Sequence, residues 1–571
     1  MKKLASSLLC TALVLASGGL RADAPETAAP AQSAASGLPD VALTPKLLYL
    51  LLLGEIAGQR GLFDDAAEIY LGLARETRDP RIARRATEIA LHNRRSDLAL
   101  ASAKLWVEVE QGNPANARQT LIGLLAAQGR FDELAAEVTT LLAADPLEAA
   151  PTLLRLGRLF ARSSDRQAVR KLVQVLTEPY LHLPEAHFAR AQAAFEARDL
   201  PAAQEAMRRA RELKPDWEAA ALFAAQINEN SAAALADLGA FVRAYPAARE
   251  ARLSYARALV ADKRYQEARR EFGVLLEQAG AEEEKSGDVI FAVAMLSLQL
   301  NDIQEAERQL RRLVEIDHAE ADKARYYLGQ IGEENRRPDE AIAWYGQVGR
   351  GEHYLAARLR AATLMAKRGE LAAARRFLTA SEAAHPRERT QLLIGEAQIL
   401  READQLEAAH ALLAAGLAKQ PDQIDLLYEI ALLAERLGRP DELESRLRRL
   451  IALKPDHAHA HNALGYSFAD RNIRLDEARQ LIERAIELAP NDPFILDSKG
   501  WVLFRQGNAP AALEALQQAF GMRADPEIAA HLGEVLWALG QRNAARDTWE
   551  KARQAHPANA VLVETIKRFL P

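Results

Sequence analysis

Three histidines alternate with alanines in the run Asp456-His457-Ala458-His459-Ala460-His461. On a helix, His457 and His461 stand four residues apart on one face, a spacing at which two imidazoles can share a metal ion, while His459 points elsewhere. The favoured reading is plainer. His461 fills an apolar helix position, the other two histidines sit in the turn, and no metal is assigned. Glu282-Glu283-Glu284 places three carboxylates side by side, but a short run of like charge in a loop is expected only to solvate it. Arg358, Arg360, Lys367, Arg368, Arg375 and Arg376 fall across one predicted helix pair. An anionic partner is one reading of this group, and a solvated helix face is the other. No GxxxxGK[ST], no GxGxxG after a strand, and no HExxH, GxSxG or CxxC is present, so the chain is read as non-catalytic and without a cofactor.

The elements that position these residues follow from composition and period. The chain has 571 residues, 73 Lys and Arg against 79 Asp and Glu, and a net charge of −6. That balance offers no excess of cations for a phosphate backbone and argues against nucleic acid as a partner. Aromatics make up 6% of the chain and its visible filler is Ala and Leu, a composition suited to close-packed helices rather than sheets. Residues 1–22 read as a signal peptide: Met1-Lys2-Lys3 is basic, Leu4 to Leu15 is apolar but too short to span a bilayer, and small residues lead to Ala22. Cys10 is the single cysteine, lies in the middle of that apolar run and follows Leu9, which argues against a lipid anchor. Residues 23–42 form an Ala, Pro and Ser linker with too little apolar content to fold. The expected location is the periplasm, with no transmembrane segment and outer-membrane association only through partners.

Pro386, Pro421, Pro455, Pro490 and Pro526 recur 34 to 36 residues apart. A fixed period of this size signals stacked repeats rather than separate domains. Between prolines run two helices of about 13 residues, each with a 3.6-residue apolar spacing, separated by a short polar break. Proline at the junction is expected to stop the second helix.

The last repeats resemble the tetratricopeptide repeat in their order of small and large residues. Gly533, Ala545, Trp549, Ala552 and Pro557 are in register in the final repeat, Gly500, Ala512, Leu516 and Ala519 in the one before it. Gly465, Ala478, Ile482, Ala485 and Pro490 follow with one inserted residue, and Gly54, Ala66, Tyr70 and Leu73 open the array. The predicted fold is therefore all-α, a right-handed α-solenoid of about 15 antiparallel helix pairs over residues 43–557, with a cap helix over 558–571. Repeats near 150 and 215 are degenerate. The glycines are expected to face the alanines so that backbones approach, with Trp549, Leu516, Ile482 and Tyr70 filling space between neighbouring repeats.

The resemblance places positions 2, 5, 9 and 12 of each first helix on a concave, partner-binding groove. In the last three repeats these include Asn462, Tyr466, Phe494, Asp497, Trp501, Phe504, Glu534 and Trp537, a mixture of aromatic anchors and polar neighbours suited to peptide binding. Tyr466, Trp501 and Glu534 stand where the carboxylate clamp of chaperone-tail binders has Asn, which argues against capture of an acidic C-terminal tail. Residues 455–557 are further similar to exported proteobacterial tetratricopeptide proteins, a group that includes an outer-membrane adaptor of a carboxyl-terminal processing protease. That resemblance implies a periplasmic serine protease and peptidoglycan hydrolases as partners. The competing expectation is a structural component of an exopolysaccharide or envelope-biogenesis complex.

Overall fold

The computed structural model describes residues 38–39, 41–111, 114–144, 146–160, 163, 165–280 and 286–570. Cys10, the predicted leader, most of the linker and Glu282 to Glu284 lie outside the described residues. Among the described residues there are 31 α-helices, from Pro45–Gln59 to Ala560–Phe569, two short 3-10 turns and no strand. Taken in chain order they are 15 pairs and a final single helix, as the period predicts. The predicted degenerate repeats are pairs too: Ala149–Phe160 with Arg166–Thr177, and the short Glu218–Gln226 with Ser231–Ala244. The chain divides into two compact units between Gln309 and Leu310. Within each unit successive helices pack on one another, the local arrangement of an α-solenoid.

Local chemistry explains where helices begin and end. Asp492 and Asp525 accept hydrogen bonds from the amides of Phe494 and Glu527, and Pro493 and Pro526 take the first helical position, where a missing N–H costs nothing. The periodic prolines thus have two roles. Pro421, Pro455, Pro490 and Pro557 follow a helix end, as expected, whereas Pro386 and Pro526 open the next helix. Gly507 and Gly540 make the turn inside the last two pairs with φ of +87° and +78°, a backbone region open to glycine at little cost. The inserted residue after Asp470 is absorbed by two left-handed residues, Asn472 and Arg474.

The small-residue register is confirmed and its partner corrected. A Cβ at Gly533 would stand 2.0 Å from Trp549 Nε1, and one at Gly500 would stand 2.5 Å from Leu516 Cγ. At Gly465, Ile482 Cγ1 and the carbonyl of Ala478 would lie 2.8 and 2.9 Å away. The large side chain therefore seats over the glycine of its own pair, not only between neighbours, because a helix surface without a Cβ is the one place wide enough for an indole at this spacing. Ala478, Ala512, Ala545, Ile482, Leu516 and Trp549 are all buried. The final helix covers the last pair by stacking Phe569 on Trp549, with ring centroids 5.5 Å apart.

Successive pairs are also tied by charge. Glu444 accepts from Arg448 Nε at 2.8 Å and from Arg474 Nη1 at 2.8 Å, and Arg448 reaches on to Glu477 at 2.5 Å. The Arg474 guanidinium lies 4.0 Å above the Phe468 ring, which fixes the fork over an aromatic face.

Candidate partner-binding face

The predicted site residues sit on three first helices, Ala458–Asp470, Pro493–Arg505 and Pro526–Ala538, which lie beside one another in the second unit. Asp497 and His531 meet across two of them. His531 Nδ1 is 2.9 Å from Asp497 Oδ2 and 3.0 Å from Oδ1. A carboxylate can only accept, so Nδ1 carries the proton and donates. The Trp501 indole stacks on the His531 ring at 4.2 Å and 20°, and Tyr466 Oη lies 3.4 Å from His531 Nε2. Burial opposes a charge on His531, yet the Asp497 carboxylate outweighs it, so the imidazole titrates above the ordinary histidine range. Burial first, and then the carboxylates of Asp470 and Asp497, push the Tyr466 phenol well up.

The structure separates the eight predicted residues into two layers. Asp497 and Trp501 are buried, with Trp501 only 4% exposed, so the face stands on them rather than displaying them. A tryptophan at this position is spent on His531 and on Phe504, 5.6 Å away. The outer layer holds Phe494, 41% exposed beneath the Arg523 guanidinium, and the half-buried Asn462, Tyr466, Phe504, Glu534 and Trp537. Glu534 pairs with Arg568 at 2.7 Å; burial raises its carboxyl above the usual range and the Arg568 charge works against that rise. Trp537 is enclosed by Trp549 and Phe569, with Arg542 and Arg546 over its ring. Two polar atoms here, Asn462 Oδ1 and Trp501 Nε1, have no hydrogen-bond partner among the described residues.

His531 was not among the expected site residues. It stands 34 residues after Asp497, one repeat on, and the available signal was an acid on one first helix followed at the repeat period by a histidine. In the first unit, a recess of about 550 Å³ lined by Phe188, Phe195, Trp217 and Phe223 was likewise not expected from the sequence.

The other chemistry-bearing groups take structural roles. His457 caps its helix, Nδ1 accepting from the Ala460 amide at 3.1 Å, and His461 Nε2 bonds the Pro455 carbonyl at 3.0 Å. The two imidazoles thus have separate partners. Within the basic group, Arg358 donates to the carbonyls of Gly346 and Val348 and stacks on Tyr354 and Phe377. Arg360 pairs with Glu333, Arg368 with Asp339 and Arg375 with Glu396. Those four cations are engaged within the chain.

Residues 224–283, 293–348, 444–493 and 498–560 match the family described as tetratricopeptide repeat. The chain thus carries segments similar to the tetratricopeptide repeat. A TPR repeat-containing protein of Pseudomonas aeruginosa is 41% identical to it over 213 residues, which are 37% of this chain and 36% of that relative's length. Among solved structures, a TPR protein of Thermus thermophilus is 21% identical with a TM-score of 0.30, covering 32% of this chain and 99% of its own. A tetratricopeptide repeat protein of Parabacteroides merdae is 15% identical with a TM-score of 0.33, covering 50% and 98%. Arrays of this repeat imply a scaffold for protein–protein contact, built from helix faces held at fixed spacing.

Proposed function

We propose that the chain is a non-catalytic periplasmic adaptor that binds a protein segment across the first helices of its last three repeats, and that it presents cell-wall hydrolases to a carboxyl-terminal processing protease. The observation that carries the binding role is the rigid Asp497–His531–Trp501 layer beneath a partly open rim of Phe494, Asn462 and Phe504. A face preorganised from below loses little side-chain entropy on binding, and exposed or half-buried aromatic rings are the side chains that return most affinity per contact. The export half of the proposal rests on the basic, apolar and small-residue order of residues 1–22. The protease half rests on the resemblance of residues 455–557.

The test is affinity capture from periplasmic extract with the unaltered chain and with Phe494→Ala and Asn462→Arg, each checked for an unchanged melting curve. Enrichment of a processing protease and peptidoglycan hydrolases, reduced at least about tenfold by either substitution, is the expected result. Recovery of the same partners at equal yield from the variants would refute the face. Enrichment of an outer-membrane pore or polysaccharide synthase instead would favour a structural role in an envelope complex.

A further inference from the structure

The helix Ala149–Phe160 stands between two recesses of the first unit and lines both. The recess it shares with Ala115–Ala127 and Phe131–Ala144 is about 700 Å³ and is walled by the aliphatic side chains of Ile122, Val138, Leu141, Leu156 and Leu159. The recess it shares with Pro184–Glu196 and Glu218–Gln226 is the aromatic one of about 550 Å³. There the Phe188 ring lies 4.9 Å from Trp217 and 5.5 Å from Phe223, and Phe195 meets Phe223 edge-on at 5.8 Å. Phe195, Trp217 and Phe223 are only half-buried, so part of each ring is open to a ligand.

Charge decides what kind of ligand fits. Arg155 pairs with Glu148 at 3.2 Å and Arg166 with Glu196 at 3.7 Å. Arg158 is the remaining charged side chain of the two linings, belongs to both, and is exposed with no hydrogen bond or ion pair among the described residues. An unpaired guanidinium is a fork for a carboxylate. Gln192 adds a neutral polar group to the aromatic recess. Its Oε1 is buried without a hydrogen-bond partner, lodged over Gly157, where a Cβ would stand 2.6 Å from it. An unengaged amide offers both a donor and an acceptor to a peptide main chain, and an orphaned buried oxygen carries a desolvation cost that a ligand N–H would relieve.

We propose that the first unit binds a protein segment in which one Asp or Glu stands between two apolar residues, at least one of them aromatic. The carboxylate would pair with Arg158, one apolar side chain would enter the aliphatic recess, and the aromatic one would pack edge-on or offset against Phe195 and Phe223. Two recesses on opposite sides of one cation need two apolar groups carried on a single backbone. A carboxylate with a single tail would fill one recess and leave the other open. The site lies in the first unit and does not rest on the face proposed for the second.

Panning a random peptide library displayed on phage against the full chain tests the proposal, with the enriched sequences synthesised and titrated against the chain and its variants. The expected result is a recurring acid flanked by two apolar residues, with affinity reduced at least about tenfold by Arg158→Ala and by Phe195→Ala, partly kept in Arg158→Lys, and unchanged in Phe494→Ala of the second unit. Four outcomes would overturn it: no enriched peptide that depends on the first unit; enriched peptides lacking the acid or either apolar residue; full affinity in Arg158→Ala; or displacement of the peptides by decanoate at equal affinity, which would show that one recess and a carboxylate suffice. Arg158 is exposed and packs against no ring, so Arg158→Ala decides alone should Phe195→Ala lower the melting temperature.

Discussion

The Asp497 carboxylate holds the His531 imidazole at 2.9 Å across two successive repeats, beneath the stacked indole of Trp501. Because Asp497 keeps His531 charged where burial would neutralise it, the folded histidine titrates above its unfolded value. A group raised in this way stabilises the fold fully below its unfolded pKa, about 6.5, and loses that contribution as pH rises through the folded value. Denaturant unfolding of the second unit, followed by tryptophan fluorescence, should therefore show lower stability at about pH 9 than at about pH 6. Asp497→Asn should cost about 2–4 kcal/mol at the lower pH and flatten the dependence. An identical pH slope in the variant would show that the pair is not its source.

Gly533 and Gly521 make a matched comparison. A Cβ at Gly533 meets Trp549 at 2.0 Å, whereas one at Gly521 meets nothing within 4 Å. Gly533→Ala should lower stability by about 1–3 kcal/mol through overpacking. Gly521→Ala should be neutral or raise it by about 0.5–1 kcal/mol through helix propensity. Trp549→Leu combined with Gly533→Ala should recover part of the loss. Calorimetry of the three variants checks the order, and additive losses in the double variant would remove the proposed contact.

Acid should loosen the tie between repeats at Glu444. The Arg474 hydrogen bonds, against the opposing effect of burial and with Arg448 assisting, hold this carboxyl at about 2. A depressed carboxylate stabilises the fold above its unfolded pKa, about 4.3, and that contribution is lost as pH falls toward the folded value. Glu444→Gln should remove on the order of 2 kcal/mol at neutral pH and reduce the slope of stability between about pH 4.5 and pH 2. Urea midpoints over that range provide the measurement, and parallel curves would count against it.

Arg358 is engaged by geometry as much as by charge. Its Nη1 reaches the Gly346 carbonyl at 2.9 Å, and its guanidinium lies 4.7 Å from the Tyr354 ring centre and 5.0 Å from that of Phe377. Lysine cannot reproduce a planar fork between two rings, so Arg358→Lys should cost about 1–2 kcal/mol. Arg376→Lys, on the exposed side of the next helix, should change little. Thermal unfolding of the two variants distinguishes them.

The repeat architecture was legible because its determinants are local. Gly533 and Trp549, and Gly500 and Leu516, stand 16 residues apart within one helix pair, and Gly465 and Ile482 stand 17 apart because of the one inserted residue, so periodicity alone sets the register. The dual role of proline was harder to read, because a residue at the end of one helix and one at the start of the next differ by only a few positions within the same period. The candidate face was legible in part. Position on the first helices put Asp497, Trp501 and Tyr466 in one neighbourhood, but not the depth of each.

By itself, the sequence determined the all-helical fold and, among the described residues, the 15 pairs with their final single helix. Tertiary structure alone decided that Trp501 lies under the face and Phe494 on it, that His531 answers Asp497, and that Arg358, Arg360, Arg368 and Arg375 have partners within the chain. The physical reason is reach. Helical period and steric register are settled within about 34 residues of chain, whereas burial, charge pairing and ring stacking between neighbouring helices depend on how whole repeats lean on one another.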